Sequence, residues 1–267
     1  MNPSRVGAIV LRQLFHYRGS PQRILPIVGW VAVDIALWGF ITRYLNTVGR
    51  PGMNFVPTLL GAVLLWDFLT RVMQGVTMAF FEDVWSRNFL NFFATPLRIS
   101  EYLAGLVITG VGSSLIGLLV MVALAGAAFG LSFAAYGAAL APFLLVLFLT
   151  GVALGVFGAA IVLRLGPASE WLIWPIPTLV SPFAGVFYPV SVLPGWMQVV
   201  SKALPPAYVF DGMRTVIAGK PAPWDRLALG GGLAVLYVLA AGLTFAWVYR
   251  YAIRTGLIAR YSAESVS

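Results

Sequence analysis

Long apolar stretches, several of them near or above the ~20 residues needed to cross a ~30 Å hydrocarbon core, alternate with short charged stretches along this chain. A soluble domain of 267 residues has too little interior to hide them, because 60% of the residues are hydrophobic and only 10% are charged. Mean hydropathy is +0.90, far from the range of globular domains. The chain reads as an integral membrane protein. A spanning segment must satisfy its backbone internally, and the ~10-residue alternation of a barrel is missing, so the expected fold class is all-α. Six spans are expected, over about 24–42, 55–81, 102–126, 136–165, 171–188 and 227–249. Together they make a single membrane domain over 1–267, with no internal repeat.

Composition also removes chemistry. The absence of Cys excludes thiol catalysis, disulfides and cysteine–metal sites. A lone His16 leaves no histidine cluster for a metal. The net charge of +8 is read as basic flanks meeting anionic lipid, not as a nucleic-acid surface. The basic residues set the orientation. With the N-terminus inside, ten of the seventeen lie on the inner side, six on the outer side, and Arg71 within a span. Both termini are then cytoplasmic. The first ~23 residues lack the apolar core and small-residue cleavage site of a signal peptide.

Three segments outside the spans carry information. Residues 4–18, within a leading interfacial stretch of 1–23, read as an amphipathic helix. Val6, Ile9, Val10, Leu14 and Tyr17 fall near one face, and the arginines sit at the headgroups. Gly19 to Pro21 breaks it before the first span. Residues 82–100 form an inner loop that mixes charge with Val84, Trp85, Phe89, Leu90, Phe92 and Phe93. A short helix ending before Thr95-Pro96 fits this pattern, with aromatic groups on the membrane domain and Glu82, Asp83 and Arg87 offered to a soluble partner. An interfacial anchor without a partner is the alternative. Residues 185–226 are too apolar for an exposed loop and too broken by Pro189, Pro194, Pro205 and Pro206 for one helix. A re-entrant or interfacial helical hairpin on the outer side satisfies both facts, and a soluble loop with aromatic belt residues such as Trp196 and Tyr208 is the alternative.

Charges within the spans are few. Asp34 lies mid-way through the first span, and Asp67 and Arg71 share a face of the second at i, i+4 spacing. A charge at mid-depth costs about 2.5–3.5 kcal/mol even on the lenient insertion scale, so pairing or water access is expected. Two readings stand: a structural Asp34–Arg71–Asp67 cluster, or contact with a substrate or gate. Glu101 opens the third span, where a carboxylate compensates the helix dipole. Gly151, Gly155 and Ala159 make a small-xxx-small row on the fourth span. Pro175, Pro177 and Pro182 predict a kinked or broken fifth span, a candidate lining for a pathway.

The outer segment runs Ser181-Pro182, Gly185-Val186-Phe187-Tyr188-Pro189, Leu193-Pro194-Gly195-Trp196, Leu204-Pro205-Pro206-Ala207-Tyr208-Val209 and Asp211-Gly212-Met213-Arg214. With Thr95-Pro96-Leu97, it resembles the permease subunits of type-2 ABC exporters, the bacterial systems for drug, glycolipid and polysaccharide export. The resemblance spans nearly the whole chain in length and layout, with its motifs concentrated in about 82–100 and 181–214. It implies six spans, a leading amphipathic helix, a coupling helix after the second span and a re-entrant hairpin before the sixth. It implies a dimer, here a homodimer, in the bacterial inner membrane with two separate ATPase subunits. Glu82, Asp83, Arg87 and Phe89 then become the ATPase-coupling residues, with the coupling helix over about 83–93. The loop at 166–170 is short and would make only a limited second contact with an ATPase.

No nucleotide site is expected in this chain. Gly219-Lys220-Pro221 lacks the upstream glycine and the following Ser/Thr of a phosphate loop. ATP and Mg belong to the partner, and this chain is expected to bind no cofactor and catalyse nothing. A non-transporting scaffold or sensor would also need an amphipathic inner loop. An ion-coupled carrier would favour two related halves and a relay of carboxylates.

Overall fold

The computed structural model describes residues 1–18, 21–49, 55–85 and 95–257. Among these the chain is helical and without strands. Its helices are α1 (Pro3–Arg18), α2 (Pro21–Val48), α3 (Gly61–Trp85), α4 (Ile99–Phe129), α5 (Leu140–Leu165), α6 (Ile176–Ala184), α7 (Gly195–Ala203), α8 (Pro205–Ile217) and α9 (Trp224–Arg254). A π-turn over Val56–Leu60 leads into α3, and a 3₁₀ turn over Phe133–Ala139 leads into α5. Four stretches, Val56–Val84, Ile99–Phe129, Phe133–Leu165 and Trp224–Arg254, are long and apolar enough to cross a membrane. The shortest has 29 residues, about 43 Å of helix at 1.5 Å per residue. These coincide with the second, third, fourth and sixth expected spans, and the first falls on α2.

The element ends follow from local chemistry. Glu101 in the first turn of α4 accepts the backbone N–H of Arg98 at 3.0 Å, the reciprocal half of a capping box. Gly130 stops α4 in the left-handed region at φ 67°, where a side chain would be strained. The expected fifth span is not one helix. It consists of a 3₁₀ turn over Pro167–Leu172, a bend and the nine-residue α6. Pro175 is the N-cap of α6, Pro177 lies in its first turn and Pro182 is inside it, and Gly185 ends it at φ 66°. Nine residues make about 14 Å of helix, less than half the hydrocarbon core.

α3 is the central element, and glycines let its neighbours approach. On the α4 side, a Cβ at Gly75 would stand 3.1 Å from Gly110 Cα. On the α5 side, Cβ atoms at Gly151 and Gly155 would stand 2.7 Å from the Leu69 carbonyl and 2.8 Å from the Met73 carbonyl. The small-residue row of the fourth span therefore serves packing within the chain. α9 covers the far side of α5, and Phe80, Tyr102 and Phe245 meet edge to face between α3, α4 and α9. Tyr136 closes the other end of the bundle by donating to the Pro57 carbonyl at 2.7 Å, within the π-turn. Outward faces are apolar: Phe40 on α2, Leu119 on α4 and Leu243 on α9 are each more than 60% exposed. Such faces suit lipid tails and not water.

Candidate functional site

α1 and the flanks of the α3–α4 connection form one polar network. The C-terminal end of α3 carries Asp83, whose side chain is fully buried. Arg12 of α1 makes an ion pair with one of its oxygens, and the Tyr102 hydroxyl of α4 donates to the other at 2.7 Å. On the far flank, Glu101 accepts from the Asn2 backbone N–H at 2.7 Å and pairs with Arg5 at 3.4 Å. Arg5 also donates to the Pro96 carbonyl. Between the two nodes Ile9 rests on α4 over Gly105, where a Cβ would fall 2.5 Å from its Cγ2. One short helix thus grips the residues that leave α3 and those that enter α4.

This placement changes two expectations. Asp83 faces inward, where Arg12 and Tyr102 occupy its carboxylate, so the side chain is buried and not presented at the surface. The buried face of α1 is Val6, Ile9 and Gln13, while Leu14 is 55% exposed. Arg5 and Arg12 satisfy acids of the bundle and do not simply lie at headgroups, because two buried carboxylates need counter-charges. Sequence reasoning missed Asn2, Arg5, Arg12 and Tyr102 as members of the network. A signal was present: Arg5 and Arg12 are seven apart, hence on one helical face, and each has an acid to meet at one end of the connection. Glu82 is partly buried at the end of α3. Arg87 and Phe89, with most of the expected coupling helix, lie outside the described residues.

Of the charges within the expected spans, Arg71 and Asp67 form an ion pair. The Arg71 Nε donates to Asp67 Oδ2 at 2.7 Å, with both side chains under one-fifth exposed. The Arg71 stem lies over Gly117 of α4, where a Cβ would be 3.3 Å from its Cδ. Asp34 on α2 is close enough to feel the Arg71 charge. Of the three kink prolines, Pro177 lies against α3: with Ile173 and Trp174 it shares a narrow cleft with Gln74, Met78 and Phe81. Toward the other end, Trp38 of α2 stacks on Phe187, just beyond α6, at 5.3 Å between centroids.

The segment after α6 is tied to it by side chains that reach its freed carbonyls. Arg214 of α8 donates to the carbonyls of Gly185 and Val186, and Ser201 of α7 donates to that of Phe183 at 2.6 Å. Tyr188 does the same for Pro182 at 3.1 Å. Burial pulls the Arg214 guanidinium below its ordinary pKa, and Asp211 opposes the shift. Such caps satisfy groups that a helix end leaves open. They make α6, α7 and α8 one stapled unit.

Four long apolar helices, with α3 central among them and a gripped connection at one end, define a polytopic membrane protein. Residues 5–218 match the ABC-2 type transporter family, and the chain belongs to that family. It is accordingly the permease of an ABC transporter; permeases of this family are generally non-catalytic and work with an ABC ATPase. No curated protein matches the chain.

Proposed function

We propose that this chain is the membrane subunit of an ATP-driven exporter, acting as a homodimer in the bacterial inner membrane with both termini in the cytoplasm. Residues 1–267 act as a single permease domain with six crossings, α2 and the broken 171–188 segment adding to the four long apolar stretches. The unit of α6, α7 and α8 is a re-entrant hairpin on the outer side. ATP and Mg bind in separate ATPase subunits, and this chain holds no cofactor. Its cargo is an amphipathic molecule: a lipid-like compound, a drug, or a glycolipid or polysaccharide. Asp34, Asp67 and Arg71 serve the packing of the span region, and the Pro175–Pro177–Pro182 segment serves the pathway.

The observation that carries this reading is the grip of α1 on both flanks of the α3–α4 connection. A connection pushed by an ATPase transmits force only if its ends are held to the helices that must move. Glu82, Arg87 and Phe89 are the contact residues in this reading, and Asp83 with Arg12 and Tyr102 holds them in position. The ATPase drives transport by contacting the connection differently in the inward-open and outward-open packings.

The test is co-purification of the chain with its ATP-hydrolysing subunit, then reconstitution in liposomes. Arg12→Ala is expected to leave the ATPase bound but lower transport per ATP by about tenfold, since a buried carboxylate that loses its partner costs about 3–5 kcal/mol locally. Exchanging the charges, Arg12→Asp with Asp83→Arg, recovers part of the coupling. A purified chain with no ATPase attached, and unchanged behaviour of Arg12→Ala, would return the protein to a non-transporting scaffold.

A further inference from the structure

The exposed stripe of α9 changes character along its length. Leu236, Leu239 and Leu243 are 59–71% exposed on one face of the helix. Continued by three and four residues, the same line reaches Trp247, Arg250, Tyr251 and Arg254, all exposed. Tails belong on the first half of such a stripe and headgroups on the second.

A neighbouring helix completes the second half. Arg164, in the last turn of α5, places its guanidinium 5.0 Å from the Trp247 ring centroid and 5.6 Å from that of Tyr251. The two rings are themselves stacked at 6.3 Å and 24°. The rings hold the guanidinium in place by cation–π attraction, which strengthens as water is excluded. Arg250 donates its Nε to the Ala246 carbonyl. Neither Arg250 nor Arg254 has a carboxylate partner among the described residues, and residues 226–257 contain no acid on this half of the helix. Arg250 and Arg254 thus share a helical stripe with the two rings that hold Arg164, at the end of the apolar stripe where α5 meets α9. Phe157 and Leu165 of α5, 43% and 59% exposed, extend the apolar wall on the other side of the seam.

We infer that the C-terminal ends of α5 and α9 form a binding site for an anionic diacyl phospholipid. Its phosphate is bracketed by Arg164, Arg250 and Arg254, and one acyl chain lies along Leu243, Leu239 and Leu236. Guanidinium forks suit phosphate oxygens, and basic groups between helices at the headgroup level favour anionic lipid. The site belongs to the permease by itself and does not depend on the transport reading.

The experiment is native mass spectrometry of the purified chain in detergent with equal amounts of dioleoylphosphatidylglycerol and dioleoylphosphatidylcholine. The wild type is expected to retain phosphatidylglycerol in preference. Arg164→Gln with Arg250→Gln and Arg254→Gln lowers that retention by about fivefold per arginine, and leaves phosphatidylcholine retention and the melting temperature unchanged. Trp247→Leu with Tyr251→Leu keeps every charge and still lowers the preference, because Arg164 loses its rings. Arg43→Gln with Lys202→Gln and Lys220→Gln removes the same charge elsewhere and leaves the preference intact. Full phosphatidylglycerol preference in the first variant, or equal loss in the charge control, overturns the site. So does displacement of the lipid by millimolar glycerol 3-phosphate, which would mark a phosphate pocket and not a lipid seam.

Discussion

At the residue scale, Arg71 is the side chain with most to lose. Its guanidinium sits at mid-depth of α3 with Asp67 at 2.7 Å and Asp34 within electrostatic reach. Two acids with one base leave the cluster dependent on that base. Arg71→Ala strands Asp67 in a low-dielectric span and removes the stem that covers Gly117. We expect a loss of about 1–3 kcal/mol, below the figure for a fully buried pair because both side chains retain some exposure. The measurement is yield of monodisperse protein and its melting temperature in detergent. Asp67→Asn combined with Arg71→Met should recover most of the loss, since both charges then vanish together. Wild-type yield and melting for Arg71→Ala would take the structural weight off the cluster and favour contact with a substrate.

At the element scale, glycines decide how closely helices meet, and they sort into two kinds. Gly151 and Gly155 face backbone carbonyls of α3 at distances no Cβ tolerates, whereas Gly112 on α4 has nothing within 4 Å. Gly151→Ala and Gly155→Ala are expected to lower the melting temperature by several degrees, the cost of overpacking by about 1–3 kcal/mol. Gly112→Ala is expected to hold or raise it, because alanine favours helix by up to ~1 kcal/mol. Thermal unfolding of the three single variants checks the contrast; equal effects at all three positions would remove the packing argument. These elements also mark how far the sequence was legible. The four long apolar spans were readable from length and hydropathy, because a bilayer imposes both. The break before α6 was readable from Pro175, Pro177 and Pro182, since proline acts locally. The partner of the small-residue row was not, because spacing states that a close contact exists and not with which helix. The docked face of α1 was misread for a related reason. Its apolar pattern favoured Leu14, but Asp83 and Glu101, some 70 to 100 residues away in sequence, select the face that carries Arg5 and Arg12.

At the scale of the whole molecule, α1 is both a counter-ion and a brace, and the two roles separate experimentally. It lies against α4 and grips Asp83 and Glu101, both 1% exposed or less. Removing residues 2–18 would uncover Gly105 and Tyr102 and leave two carboxylates without their arginines. The bundle behind them, with α3 held between α4 and α5 and with α9 on α5, does not depend on α1 for its packing. The deletion is therefore expected to insert in the membrane but melt well below the full chain. Neutralising the stranded acids in the same deletion, by Asp83→Asn and Glu101→Gln, should restore much of the melting temperature, because unpaired buried charge adds to the lost apolar contact of Val6 and Ile9. Transport per ATP, measured in liposomes with the ATPase subunit present, should not recover with it. Neutral side chains remove the electrostatic penalty, but α1 then no longer braces the start of the connection against its end, and part of a push is absorbed there. If coupling returned along with stability in the neutralised deletion, α1 would be a counter-ion alone, and the force would have to pass directly along α3 and α4.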